Sequence, residues 1–411
     1  MVVLPKKNMT GLSEKIIRSH FGNSIQSEDK NFDGSNILLD LGTQPVVNSL
    51  KDTAEEALAA TQYPIRALID EDLCIHLDTS VPPEELYADY LYHSGVNKPY
   101  IRHCRRMWQS IKHLNPRRII DIGGNDGTLL HTLQQEAGRP LEMYNVDASN
   151  SFAGENLEKG IHFINEFWSK DAPVPKADFI FTTNAFQHTP DAEKFVEGIA
   201  EKLDGTWILE FPYTLTTLET LQFDQFYHEH YYYWLVKPIK KLLSKFNLNI
   251  YHAEKISIHG GSMRLWITNK EMYGDTGAAE EFIKREEWFD YNRYMSLVWT
   301  KIIKDQAFLN QLDGSIGLFG AAAKGCVYLN AVNSWQLSDT YCVDDTVQKQ
   351  GKYIPGTSIR IVDREYLRFD RPDNIIIMAH NFAPSIKQSL IDDGYNGRLI
   401  TMFPEIEIDR A

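Results

Sequence analysis

The sequence predicts an α/β protein with two Rossmann-like parallel sheets and a small N-terminal domain. Apolar strands alternate with helical patterns from residue 117 to residue 212, which is the order of a doubly wound parallel sheet. A glycine-rich turn follows the first of these strands, where such a fold binds its ligand. A second strand, glycine turn and helix begin at Ser315, which predicts a second, smaller α/β domain.

Length, composition and charge restrict the class of protein. The 411 residues suffice for two or three domains, and 43% hydrophobic with 24% charged residues is ordinary for a soluble globular protein. The formal net charge of −14 argues against a nucleic-acid partner, because nucleic-acid-binding proteins usually carry a basic face.

The sequence also predicts a cytoplasmic protein with no membrane partner. No apolar run approaches the roughly 20 residues that span a bilayer, and the N-terminus lacks the apolar core of a signal peptide. The four cysteines are widely spaced and form no Cys-x-x-Cys pair, which suits a reducing compartment. We expect a monomer or a small homo-oligomer.

The spacing of the first glycine turn separates two classes of cofactor. An apolar strand ends at Asp121, and a helix begins near Thr128. The intervening pattern, Asp-x-Gly-Gly-x-Asp-Gly-Thr, lacks the G-x-G-x-x-G spacing of a dinucleotide-binding turn. It resembles motif I of the methyltransferases that use S-adenosyl-L-methionine (SAM). A second strand ends in Asp147, where a carboxylate can accept hydrogen bonds from ribose hydroxyls.

We therefore predict SAM as the cofactor, and the alternative is a strand–helix turn with no ligand. A third strand, from Ala177 to Asn184, adds an amide at the same predicted edge of the sheet. The predicted cofactor-binding residues are Asp121, Gly123, Gly124, Asn125, Gly127, Thr128, Asp147 and Asn184.

Two groups of residues beyond these strands are candidates for acid–base chemistry. His188 lies just past the carboxyl end of the third strand, although a lone loop histidine is often structural. Tyr227, His228, Glu229 and His230 follow the last long strand and bring a phenol, a carboxylate and two imidazoles together. The spacing of the two histidines leaves a metal site as an alternative.

The C-terminal half adds candidates for substrate binding. A tight turn over residues 259–262 brings His259 and Arg264 towards one rim, and a long helical segment from 275 to about 312 leads to the last domain. Lysines at the ligand edge of that domain suit an anion such as a diphosphate, and a structural repeat without ligand is the alternative. The predicted substrate-binding residues are His259, Arg264, Lys324, Lys349 and Asn381.

Four motifs in series resemble the nucleotide-sugar C-methyltransferases of the deoxysugar C-3 type. They are Pro-Pro-Glu-Glu-Leu-Tyr at 82–87, Tyr-His-Glu-His at 227–230, His-Gly-Gly-Ser-x-Arg at 259–264 and Lys-Gln-Gly-Lys-x-x-Pro-Gly-Thr at 349–357. The resemblance implies an N-terminal domain (1–97), a SAM-binding domain (98–268) and a C-terminal α/β domain (269–411) that helps to bind a nucleotide sugar.

The resemblance also implies a mechanism and a role for each catalytic residue. The family methylates carbon by deprotonation next to the ketone of a 4-keto sugar and attack of the enolate on the SAM methyl group. His230 matches the proposed base, with Tyr227 and Glu229 in support and His188 in the same pocket. A tyrosine of the N-terminal domain, Tyr90 or Tyr92, also enters the site.

One departure from the family concerns metal. The family's N-terminal domain usually binds zinc through two Cys-x-x-Cys pairs. The corresponding positions here, near 20–24 and 69–72, carry no cysteine, so we expect a degenerate domain that folds without zinc, and no catalytic metal. A sugar O-methyltransferase and an inactive SAM- or nucleotide-sugar-binding protein remain as alternatives.

Overall fold

The computed structural model describes residues 36–78, 81, 86, 98–257, 260–270 and 276–410, which form three sheets. The predicted site residues Tyr90, Tyr92 and His259 lie outside the described residues, as do positions 20–24. No helix within the described ranges is long and apolar enough to cross a membrane. The predicted domain boundaries at 97/98 and 268/269 stay predictions.

The N-terminal sheet is antiparallel and takes its last strand from the middle of the chain. It consists of β1 (Asn36–Pro45), β2 (Gln62–Ile69), β3 (Ile75–Leu77) and β9 (Tyr232–Tyr233), with helix α1 (Ala54–Leu58) after β1. Strand β9 directly follows the Tyr227–His230 cluster. Because β9 pairs with β3, the N-terminal sheet holds the segment that carries this cluster.

The central sheet has seven strands in the order β10-β11-β8-β7-β4-β5-β6. Strands β4 to β8 are parallel, and β11 runs antiparallel to both β8 and β10. The predicted Rossmann-like sheet is therefore confirmed, with a hairpin at one edge. The strands are β4 (Arg118–Ile122), β5 (Glu142–Val146), β6 (His162–Ile164), β7 (Ala177–Thr183), β8 (Leu203–Pro212), β10 (Asn249–Ile256) and β11 (Ser262–Thr268).

Helices cover both faces of the central sheet because its inner strands are apolar on both sides. Ile119 and Ile120 of β4 are both fully buried but belong to two different hydrophobic clusters, one on each face. The cluster around Ile119 includes Met107 and Trp108. The helices of this region are α2 (Lys98–Ile111), α3 (Thr128–Ala137), α4 (Ala153–Glu158), α5 (Ala192–Lys202), α6 (Thr214–Glu219) and α7 (Val236–Ser244).

The order of the central strands places the ligand crevice. Strands β4 and β7 are neighbours, but the chain continues from β4 towards one edge of the sheet and from β7 towards the other. In open α/β sheets, ligands bind beside the carboxyl ends of the strands at such a point. Asp121 lies near the end of β4 and Asn184 directly follows β7, so both border this crevice.

A helical connection leads from the central to the C-terminal sheet. The single segment predicted over 275–312 was wrong, since the structure has two helices, α8 (Glu280–Trp288) and α9 (Tyr291–Asn310). Phe289 adopts extended backbone angles, φ −69° and ψ 136°, which end α8. Glu286 accepts hydrogen bonds from Val236 N–H at 2.7 Å and Lys237 N–H at 2.9 Å and so anchors α8 on the N-terminus of α7.

The C-terminal sheet has six strands in the order β14-β13-β12-β15-β16-β17, all parallel except β17. The second, smaller α/β unit is therefore confirmed. Its own reversal of strand order falls between β12 and β15. The elements are β12 (Ile316–Phe319), β13 (Tyr341–Val343), β14 (Arg360–Val362), β15 (Asn374–Ile377), β16 (Arg398–Thr401), β17 (Glu407–Arg410), α10 (Ala323–Val332) and α11 (Ala383–Asp392).

We expect Gly127→Ala to lower the free energy of unfolding more than Gly138→Ala. Both glycines have left-handed backbones, φ +74° and +62°, where alanine costs about 1 kcal/mol. A Cβ at position 127 would also lie 2.4 Å from Asn156 Oδ1, whereas a Cβ at position 138 would meet no atom within 4 Å. The clash adds roughly 1–3 kcal/mol. Urea unfolding of both variants tests the difference, and equal losses would contradict the packing at Gly127.

Candidate active site

The first glycine turn brings the backbone close to the crevice. Gly123 has φ +69°, and a Cβ there would lie 2.7 Å from Ala185 Cβ. A Cβ at Gly124 would lie 2.6 Å from Asp121 Oδ2. Neither position can accept a side chain without displacement of its neighbours, so the backbone itself forms this wall of the crevice. The N–H groups of Gly123 and Gly124 already donate to the Val146 carbonyl and to Asn145 Oδ1.

Asp121 is a buried carboxylate without a protein partner. It is fully buried, and neither Oδ1 nor Oδ2 accepts a hydrogen bond from any of the described residues. Burial raises its pKa to about 8, with further increases from the nearby carboxylates Asp147 and Asp126. The Oδ1 atom of Asn184 is also buried without a partner, and this residue has φ +54°. Two acceptors at the crevice therefore await a ligand that donates hydrogen bonds or carries positive charge.

Asp147 and the turn fix each other's position. Asn125 N–H donates to Asp147 Oδ2 at 2.9 Å, and Ser149 N–H donates to Oδ1 at 2.8 Å. Burial raises the pKa of this half-buried carboxylate, and the two backbone hydrogen bonds lower it. Thr128 begins α3, and its N–H donates to Asp126 Oδ1 at 3.1 Å. These bonds fix the orientation of the Asp147 carboxylate at the carboxyl end of β5.

His230 lies at the centre of the second half of the site. Its ring centroid is 4.1 Å from that of Tyr227 and 4.8 Å from that of His188. Burial holds its pKa well below the usual value, and the nearby groups His188 and Lys324 lower it further because they disfavour a second positive charge. A hydrogen bond to the backbone of Gln225 acts in the opposite direction. His230 is therefore neutral at pH 7, with one ring nitrogen held by the backbone.

His188 and Glu229 are joined through the backbone. The Glu229 carbonyl accepts a hydrogen bond of 2.8 Å from His188 Nδ1, so Nδ1 carries the proton and Nε2 keeps its lone pair. Burial lowers the pKa of His188 to about 4. Burial raises the pKa of the Glu229 carboxyl to about 7, while the Asn48 side-chain amide, which donates to Oε1 at 2.6 Å, lowers it.

His228 points away from the other members of the cluster. Its Nε2–H donates to the Tyr63 carbonyl at 3.1 Å, and the side chain is fully buried. Tyr63 lies on β2, so this bond attaches the segment to the N-terminal sheet. Within the described ranges, no group of three or more His, Cys, Asp or Glu side chains is arranged to hold a metal ion.

The C-terminal sheet places His380 and Lys324 near the segment that carries the Tyr227–His230 cluster. Asp224 of that segment, two residues before Phe226, is buried, and its Oδ2 lies 3.4 Å from His380 Nδ1. His380 Nε2 lies 3.2 Å from Gln222 Oε1. Burial raises the pKa of Asp224 and lowers that of half-buried Lys324, and the attraction between the two charges opposes both shifts. His380 follows β15 and Lys324 opens α10, so both flank the reversal in strand order.

The predicted substrate residues differ in their surroundings. Gly260 touches Asn381, since a Cβ at Gly260 would lie 2.3 Å from Asn381 Oδ1. Arg264 instead forms buried ion pairs with Glu210 at 2.5 Å and Glu254 at 2.8 Å. Lys349 donates to the Ala321 carbonyl at 2.7 Å. Both side chains therefore have protein partners, and their roles in substrate binding stay predictions.

Comparisons with known proteins agree on one class of enzyme. Residues 92–253 match the family described as "Methyltransferase domain", and residues 257–404 match "C-methyltransferase C-terminal domain". The C-methyltransferase NovU of Streptomyces niveus is 24% identical over 405 residues, which are 91% of this chain and 94% of that protein. The protein is a SAM-dependent C-methyltransferase.

Two solved methyltransferases are similar to part of the chain. The magnesium protoporphyrin IX methyltransferase ChlM from Synechocystis PCC 6803, with bound SAH, is 19% identical, with a TM-score of 0.34, over 46% of this chain and 92% of its own. The plantazolicin methyltransferase BpumL is 11% identical, with a TM-score of 0.35, over 42% of this chain and 86% of its own.

The crevice of the C-methyltransferase suits SAM chemically. The partnerless carboxylate of Asp121 and the amide oxygen of Asn184 match a cofactor that carries an ammonium and a sulfonium group. Asp147 matches its ribose hydroxyls. Gly123 and Gly124 allow the backbone to come within contact distance of it.

Sequence reasoning missed several residues of the C-methyltransferase site. Asn48 lies 181 residues from its partner Glu229, and no local pattern marks it. Asp224 and His380 were not selected either, although each is adjacent to a predicted element. The one available signal was their position, next to the Tyr227–His230 cluster and to Asn381.

We expect SAM to bind more tightly as the pH rises from 6.0 to 7.5. The ligand-free pKa of Asp121 is raised to about 8, so binding of a cation must displace a proton from the carboxyl group. Affinity should increase roughly 25-fold over this range, in proportion to the ionised fraction of the free enzyme. Asp121→Asn should weaken binding and remove the pH dependence. Calorimetry on these proteins and on the exposed control Asp171→Asn measures this; a wild-type affinity independent of pH would contradict the assignment.

Proposed function

We propose that the enzyme methylates a carbon next to the ketone of a 4-keto nucleotide-linked deoxysugar. The observation that carries this proposal is the buried, neutral His230 between Tyr227 and His188, in a segment next to the SAM crevice. C-methylation needs a base that removes a proton from carbon. A proton next to a ketone is acidic enough for a histidine when a donor stabilises the enolate.

His230 is the proposed base. Because its pKa is lowered, the ring is unprotonated at neutral pH. The Gln225 backbone holds one ring nitrogen, which leaves the other nitrogen with a lone pair to accept the proton. The same burial makes the protonated ring a strong acid, which favours return of the proton to solvent after the reaction.

The enolate oxygen needs a donor, and Tyr227 is the proposed one. Its ring packs at 4.1 Å from His230, so both side chains can face the same carbon–carbonyl unit. Glu229 is the proposed residue that orients Tyr227 and His230. Its backbone carbonyl accepts a hydrogen bond from His188, and its carboxylate accepts one from Asn48. Tyr90 and Tyr92 remain proposed contributors from outside the described residues. When bound, SAM supplies the electrophilic methyl group.

The nucleotide diphosphate is proposed to bind at the strand reversal of the C-terminal sheet. Lys324, at the start of α10, places a half-buried ammonium there, and backbone N–H groups of the helix N-terminus add to its positive potential. Asn381, just after β15, also borders the strand reversal and touches Gly260, and His259 remains a proposed contributor from outside the described residues. Asp224 lies near Lys324, and its negative charge raises the pKa of the Lys324 ammonium. Lys324 can therefore carry its charge when it binds the anion.

We expect His230→Asn to reduce the rate of methyl transfer at least ~100-fold, the usual contribution of a general base, while SAM affinity stays unchanged. Its neighbour provides a matched control, because His228→Asn removes a bond to the Tyr63 carbonyl and should cost about 1 kcal/mol of stability. Mass spectrometry of reactions with 4-keto sugars carrying dTDP, CDP or GDP measures turnover. Normal turnover of His230→Asn would exclude the mechanism.

A further inference from the structure

A small cavity is lined by His230 and by residues of the segments around it. It has room for about one water-sized group and is open at one side. Its lining includes six side chains that can make hydrogen bonds. They are Gln187, Thr214, Thr217, Gln225, His230 and Trp234.

Gln187 presents a fixed acceptor. Its Nε2 donates to the Asn184 carbonyl at 2.8 Å, and this bond sets which way round the amide lies. Its own backbone carbonyl accepts the Tyr231 N–H at 2.8 Å. The side chain is 4% exposed, yet Oε1 has no hydrogen-bond partner. A buried acceptor without a partner costs about 1–3 kcal/mol, so a ligand that donates to it gains that energy.

Trp234 presents a fixed donor. Its ring is stacked between Phe186, at 4.5 Å and 7°, and Tyr232, at 4.7 Å and 17°. The indole Nε1–H is buried and has no acceptor. Gln187 and Trp234 both line the cavity, so its lining includes one residue with an orphan acceptor and one with an orphan donor among the described residues, with Thr214 and Thr217 beside them. A hydroxyl group can satisfy both orphans, because it donates one hydrogen bond and accepts others.

We propose that this cavity recognises a hydroxyl group of the sugar, carried on or next to the carbon that His230 deprotonates, with Gln187 as its acceptor and Trp234 as its donor. The inference rests on the proposed function and adds a specificity for hydroxyl over amino or deoxy substituents. An ammonium would leave the Trp234 donor unpaired and would bring positive charge towards Lys324. A hydrogen would leave both buried groups unpaired.

The test uses sets of 4-keto nucleotide sugars that differ only in a hydroxyl, amino or hydrogen substituent beside the ketone. We expect the wild type to prefer the hydroxyl sugar by at least ~100-fold in kcat/KM, since a site built for a hydroxyl rejects analogues without it. Gln187→Met, and separately Trp234→Phe, should each reduce that preference about tenfold or more. The exposed control Gln388→Met should keep it.

The substrate preference is a ratio of kcat/KM values measured on one protein. It can therefore be measured even for a variant of which only part is folded. Calorimetry of sugar binding with S-adenosylhomocysteine present should show the same loss of discrimination. Equal use of the three sugars by the wild type, or unchanged preferences in both variants, would overturn the inference and leave a structural water as the occupant. Failure of the wild type to methylate any 4-keto nucleotide sugar would overturn the proposed function and this inference together.

Discussion

The hydrogen bond from Asn48 to Glu229, 2.6 Å long, represents the constraint on which the site depends. Residues 222–233 carry acids, imidazoles and phenols into the interior with only one three-residue 3-10 turn and a two-residue strand of their own. Such a segment must find its partners elsewhere, because buried polar groups without hydrogen bonds destabilise a fold. The N-terminal sheet supplies them on one side, through Asn48, the Tyr63 carbonyl and β3.

The C-terminal domain holds the other end of the same segment by packing. Phe223 lies 5.9 Å from Tyr328 and 5.4 Å from Phe403, measured between ring centroids, and His380 packs at 5.0 Å from Phe403 with the two rings tilted by 45°. Residues 222–233 therefore contact both the N-terminal and the C-terminal sheet. Asn48 holds the carboxyl of Glu229 in this segment, and the Glu229 carbonyl sets the tautomer of His188.

Local patterns were readable from the sequence, and long-range partners were not. The motif around Gly123 could be recognised because its function depends on the spacing of neighbouring residues. The partners of Arg264 depend on strand register: it lies directly opposite Glu210 on one neighbouring strand and Glu254 on the other. No sequence pattern gives that register. Likewise, Asn48 gains its role only through pairing across 181 residues.

The proposed mechanism requires that the enzyme remove a proton from carbon before any methyl group is transferred. Hydrogen exchange at that carbon tests it directly, in D₂O, with a 4-keto nucleotide sugar and S-adenosylhomocysteine in place of SAM. We expect the wild-type enzyme to incorporate deuterium into the sugar next to the ketone faster than the sugar exchanges in buffer alone. We expect no such acceleration by His230→Asn. Absence of enzyme-dependent exchange with a sugar that the enzyme methylates would contradict the mechanism.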